Sequence, residues 1–115
     1  MNMIRCTLTV RAYFSVYEEA TTFTQTVKRR AEGTMAVMFD LLPRIGEGLR
    51  VPNGTEFTEF TVKGVTYHIG QGNVVHHTLD LGSAMITGED AFEAGLDRWR
   101  ATGFTVTVKE HDDAS

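Results

Sequence analysis

From Ile4 to Val16 every even position is apolar or small: Ile4, Cys6, Leu8, Val10, Ala12, Phe14 and Val16. The odd positions are Arg5, Thr7, Thr9, Arg11, Tyr13 and Ser15. Side chains alternate faces along an extended chain, so this period-two pattern predicts a long strand with one buried and one wet face. One wet face points to an antiparallel sheet rather than a fully covered parallel one.

The stretch Leu41 to Leu81 reads as a bent meander whose phase changes once. Phe60 and Val62 are apolar at even positions, whereas Val65, Tyr67 and Ile69 are apolar at odd ones. A one-residue slip turns core side chains outward, so an extra residue at Lys63-Gly64 is expected to absorb it as a β-bulge. Pro52-Asn-Gly54 is a turn by its chemistry, and Arg44 to Gly48 is another. Gly70-Gln-Gly72 suits a three-residue hairpin loop. That register sets Tyr67 opposite Val75 and Val65 opposite His77, on the core side.

Residues 16–32 admit two readings. Val16, Ala20, Phe23, Val27 and Ala31 share one face at helical spacing, with Ser15 and Glu18 spaced as a capping box and Gly33 as a C-terminal cap. Against the helix, Thr21, Thr22, Thr24 and Thr26 favour a strand paired with the first. The helix is the preferred reading. A second helix, over 88–102, rests on Phe92, Leu96 and Trp99 sharing one face, with Thr87 to Asp90 resembling a capping box and Gly103 as terminator. Phe104, Val106 and Val108 alternate in a last strand. The expected fold class is α+β: a strongly bent, mostly antiparallel sheet or small barrel in one domain of residues 1–115, with that C-terminal helix packed on it.

Composition narrows the function classes. Net charge is −4 over 115 residues, so nucleic acid and anionic membrane are not expected partners. The one basic run, Lys28-Arg29-Arg30, is flanked by Glu18, Glu19 and Glu32. Cys6 is the only cysteine and lies on the apolar side of the first strand, which excludes an internal disulfide and fits a cytoplasmic protein. The chain enters strand sequence directly, with no basic segment followed by an apolar run, so no signal peptide is read.

Candidate chemistry centres on histidines. His76 and His77 are strand neighbours, so they face opposite sides and cannot share a metal. His77 is expected inward as a core histidine near Tyr67, and His76 outward, diagonal to His68. A two-histidine site on the outer face is geometrically open, but no Cys or His quartet exists for structural zinc. Arg44, on a turn after Pro43, is the basic residue placed where function often sits. The candidate ligand-binding set is therefore Tyr67, His68, His76, His77 and Arg44, with no catalytic set, metal or cofactor assigned. No phosphate-binding glycine loop or nucleophile elbow is present.

The runs Leu42-Pro-Arg-Ile-Gly-Glu47, Phe60-Thr-Val-Lys-Gly-Val65 and Val74 to Leu81 resemble a pattern of short uncharacterised bacterial proteins, often carried on phages or mobile gene cassettes. The resemblance implies an SH3-like small barrel over residues 42–81 and hands over no catalytic residue. The function expected is a non-enzymatic binding or interaction module, self-associating as a homodimer or engaging a protein partner. Its Thr-rich outer faces are inexpensive to desolvate. The alternative is a small-molecule site, or a small enzyme, between the curved sheet and a helix.

Overall fold

The computed structural model describes residues 3–19 and 23–110. Its elements run β1 (Ile4–Glu19), β2 (Phe23–Phe39), β3 (Gly48–Asn53), β4 (Glu56–Thr61), β5 (Gly64–Gly70), β6 (Asn73–Ile86), α1 (Glu89–Thr102) and β7 (Thr105–Glu110). Five strands form a mixed sheet in the order β5-β6-β1-β2-β7, and β3 and β4 form a separate hairpin. Within the five-stranded sheet β1 and β6 are parallel, and the other neighbours are antiparallel. The sheet is open, with β5 and β7 as its edges, and does not close into a barrel. After β6 the chain passes through α1 and reaches β7 on the far side of β1 and β2, so the helix covers the apolar face.

The alternation of β1 does what its pattern demands. Cys6, Leu8, Val10, Ala12 and Phe14 are buried and point toward α1 and the β3–β4 hairpin. Residues 16–19 and 23–32 are extended, not helical, and the rest of the expected helix, 20–22, lies outside the described residues: β1 and β2 pair antiparallel from Ile4 with Phe39 to Glu19 with Phe23. The helical spacing there loses to a long-range ladder, which satisfies backbone groups on a segment rich in β-branched residues. A bulge between Phe14 and Ser15 lets Arg29 face Phe14, with the guanidinium carbon 5.5 Å from the ring centre. Beyond that bulge the two strands pair only with one another among the described residues, and the molecule reaches 59 Å along its longest axis.

The phase change near Gly64 has a different origin from a bulge inside one strand. The chain leaves the hairpin at Thr61, buries Val62 completely and enters the main sheet at Lys63, whose N–H donates to the Asp80 carbonyl at 2.7 Å. Two strands in two sheets meet at that corner, and each keeps its own alternation. The hairpin lays Leu49 and Phe60 on the core, with Phe60 edge-on to Phe104 at 5.6 Å between ring centres.

Helix α1 buries Phe92 and Leu96, and Gly103 ends it in the left-handed region at φ 112°, donating to the Trp99 and Arg100 carbonyls. The Thr87 capping box does not form: Gly88 is the cap residue and makes no side-chain bond. Arg29 fastens the helix to the sheet instead. Its guanidinium lies 2.9 Å from Glu89, 3.0 Å from Glu93 and 3.4 Å from Glu110. The hydrogen bond to Glu89, with the nearby carboxylates, holds the Arg29 pKa above its ordinary value. No helix among the described residues is long and apolar enough to cross a membrane.

Candidate functional site

The β5–β6 hairpin carries four of the five candidate residues, and its turn decides how they meet. Gln71 at φ 52° and Gly72 at φ 84° make a two-residue turn between Gly70 and Asn73, where a three-residue loop was expected. Positive φ at both central residues matches the twist of paired strands. A bulge next to Ile69 then adds one residue to β6. The register therefore differs by two from the expected one: Tyr67 faces His77 and Val65 faces Leu79. A shift of two preserves facing, so His77 still lies on the α1 side and His76 on the open side.

On the open side His68 and His76 are directly opposite, not diagonal, with ring centres 5.5 Å apart. Each ring bonds a threonine hydroxyl through Nε2: His76 to Thr7 at 2.6 Å and His68 to Thr78 at 2.7 Å. Arg11 lies on the same face, 3.5 Å from Glu32 and 3.9 Å from Asp80. The result is a polar, hydrogen-bonded sheet surface. Among the described residues no three His, Cys, Asp or Glu side chains converge on a point where a metal ion would sit.

On the α1 side Tyr67 stands edge-on to His77, ring centres 5.0 Å apart. His77 is half-buried rather than a core residue, and Tyr67 is 54% exposed. The hairpin β3–β4 and α1 cover the middle of the sheet but not this end. Arg44 shares a shallow hollow with Leu42, Pro43, Ile45, Val65 and Tyr67. Its backbone N–H, not its guanidinium, meets Glu47, donating to the carboxylate at 2.6 Å. The five candidates thus divide into Tyr67, His77 and Arg44 on one face and His68 with His76 on the other, and no single pocket gathers them.

Sequence reasoning missed a second feature of this end. Leu41, Ile45, Tyr67, Ile69 and Val74 are all large apolar residues between 48% and 81% exposed. They lie where β2 has ended and the β5–β6 hairpin turns. The alternation that flagged Tyr67 and Ile69 as core also flags them as apolar, but only the length of the covering hairpin leaves them bare. Cys6 is fully buried, and burial pushes its thiol pKa up, so it is packing and not a nucleophile. Compared with protein-family models, curated proteins and solved structures, the chain matches none.

Proposed function

We propose that this protein is a non-enzymatic interaction module that self-associates as a homodimer through the free edge of β5 and the apolar end beside it. The observation that carries the reading is the edge itself. Gly64-Val-Thr-Tyr-His-Ile-Gly70 contains no Asp, Glu, Lys, Arg or Pro, and β6 is its single strand neighbour among the described residues. Sheet edges are ordinarily blunted by charge, proline or cover, because unpaired N–H and C=O groups template another strand. The opposite edge, β7, carries Lys109 and Glu110.

A second copy is the occupant that suits β5. Antiparallel pairing of identical strands about Tyr67 sets Val65 against Ile69, Thr66 against His68 and Tyr67 against its twin. This is an isologous two-fold contact that keeps like faces together. The strand is free of charge on a chain of net −4, so copies meet there without like-charge contact within the edge. Exposed Ile45, Ile69 and Val74 add apolar area beside the ladder. The reading involves no nucleic acid, membrane or cofactor and places the module in the cytoplasm.

Sedimentation velocity tests it at tens of micromolar. A dimer is expected for the natural chain and a monomer for Tyr67→Lys combined with Ile69→Lys, both at exposed positions that the fold tolerates. A natural chain that stays monomeric, or a double variant that still dimerises, overturns the proposal.

A further inference from the structure

On the α1 side, away from the apolar end, a cleft of about 550 Å³ opens between the sheet, the hairpin and the helix. Its making begins in a register shift. β1 and β6 pair Thr9 with Asp80 and next Arg11 with Ser83, so β6 uses three residues where β1 uses two. Gly82, at φ 102°, takes the strained conformation the extra residue needs, and the Gly82 N–H donates to Asp80 at 3.0 Å. The displaced strand leaves Val10, Leu81 and Ala84 facing Phe60 and Trp99 across a gap the core does not fill.

The walls are apolar and the rim carries one unanswered charge. Val10 is 3% exposed and Leu81 7% exposed, so the floor is set in the core and does not ripple with the surface. Lys63 lies at the edge, its stem passing the Gly82 α-carbon so closely that a Cβ there would stand 3.5 Å from Cγ. Arg11 also borders the cleft from β1, but its guanidinium is on the open face of the sheet, matched by Glu32 and Asp80. Lys63 has no carboxylate within 4.0 Å among the described residues, in a protein whose net charge is −4.

We infer that this cleft binds a small free amphiphilic carboxylate, with its apolar body against Trp99, Phe60 and Leu81 and its head on the Lys63 ammonium. The volume falls within the roughly 300–1,000 Å³ usual for small-molecule sites, and a mainly apolar lining with a few placed polar groups is their usual make-up. A free acid is favoured over a membrane lipid because the cleft is bounded by strand and helix and, among the described residues that line it, Lys63 is the one basic side chain without an acid partner. None of the five histidine, tyrosine and arginine candidates lines it.

Trp99 is the only tryptophan of the chain, so its emission reports the cleft directly. Octanoate is the probe, octan-1-ol its uncharged counterpart, and Lys63→Gln and Ala84→Leu the variants, both at exposed positions. Octanoate is expected to shift Trp99 emission saturably and to raise Tm, with octan-1-ol about five-fold weaker, as suits a partly solvated charge pair. Lys63→Gln should weaken octanoate about five-fold and leave octan-1-ol unchanged, and Ala84→Leu should weaken both. Equal binding of acid and alcohol, indifference to Lys63→Gln, binding that survives Ala84→Leu, or no saturable change in emission would each overturn the inference.

Discussion

One chemical change, glycine to alanine, should have opposite signs at two places in this molecule, and the reason is local space. Gly33 faces the core from β2, opposite Val10. A Cβ built there would lie 2.8 Å from Val10 Cγ2, 3.2 Å from Trp99 Cε3 and 3.4 Å from Phe104 Cβ. Val10 is 3% exposed and β-branched, so giving way means leaving its preferred rotamer toward the cleft that it lines with Trp99. Overpacking of this kind costs about 1–3 kcal/mol. The reduced freedom of the unfolded chain returns about 0.4–1 kcal/mol, so Gly33→Ala should lose about 1–2 kcal/mol net. In a domain near 100 residues that lowers Tm by about 4–10 °C. Gly95, in the middle of α1, has nothing within 4 Å of a built Cβ beyond its chain neighbours and the helix's own backbone. There Gly95→Ala should gain about 1 kcal/mol from helix propensity alone. Urea unfolding of both variants, followed by Trp99 emission, measures the pair of signs. A Gly33→Ala protein at or above natural stability would refute the close-packing argument, because Val10 and Trp99 would then be yielding into the cleft without cost.

Two further outcomes follow from charged and titrating groups. Arg29→Met should lower Tm and loosen α1, because Glu89, Glu93 and Glu110 lose their shared cation and repel one another; the loss measured by thermal denaturation should shrink in high salt. An unchanged Tm at low salt would show that the helix is held by Phe92 and Leu96 alone. Burial raises the Cys6 thiol above its ordinary 9.0 in the native state, so the unfolded chain ionises first as pH rises. The stability this group contributes is therefore complete below about pH 9 and lost above it, and native protein should lose more stability than Cys6→Ala between pH 8 and pH 10 in urea titrations. Equal losses would sink the assignment.

The alternation of β1, the apolar face of α1 and the left-handed stop at Gly103 were legible because each depends on residues a few positions apart. Periodicity and a glycine stop are local properties that no distant neighbour overrules at these places, whereas the capping box read at Thr87 does not form. The opposite holds within residues 16–32, where helical spacing and threonine content disagreed and pairing between β1 and β2 decided for strand over 16–19 and 23–32. The corner at Val62-Lys63 left a true mark in the sequence, a change of phase. The same mark fits a bulge in one strand or a passage between two sheets, and Lys63 bonding to Asp80 separates them.

The candidate site shows the division most clearly. That His76 and His77 face opposite sides was determined by the sequence alone, since strand neighbours must. Which residue each one meets was not, because register depends on a turn and a bulge whose effects add over the whole hairpin. The cleft at Lys63 and Trp99 lies further still from sequence reasoning. It joins β1, β4, β6 and α1, segments separated by tens of residues, and exists because a single extra residue in β6 moves one strand off its neighbour. Local periodicity says which side chains are apolar; only the packed chain says which of them are covered.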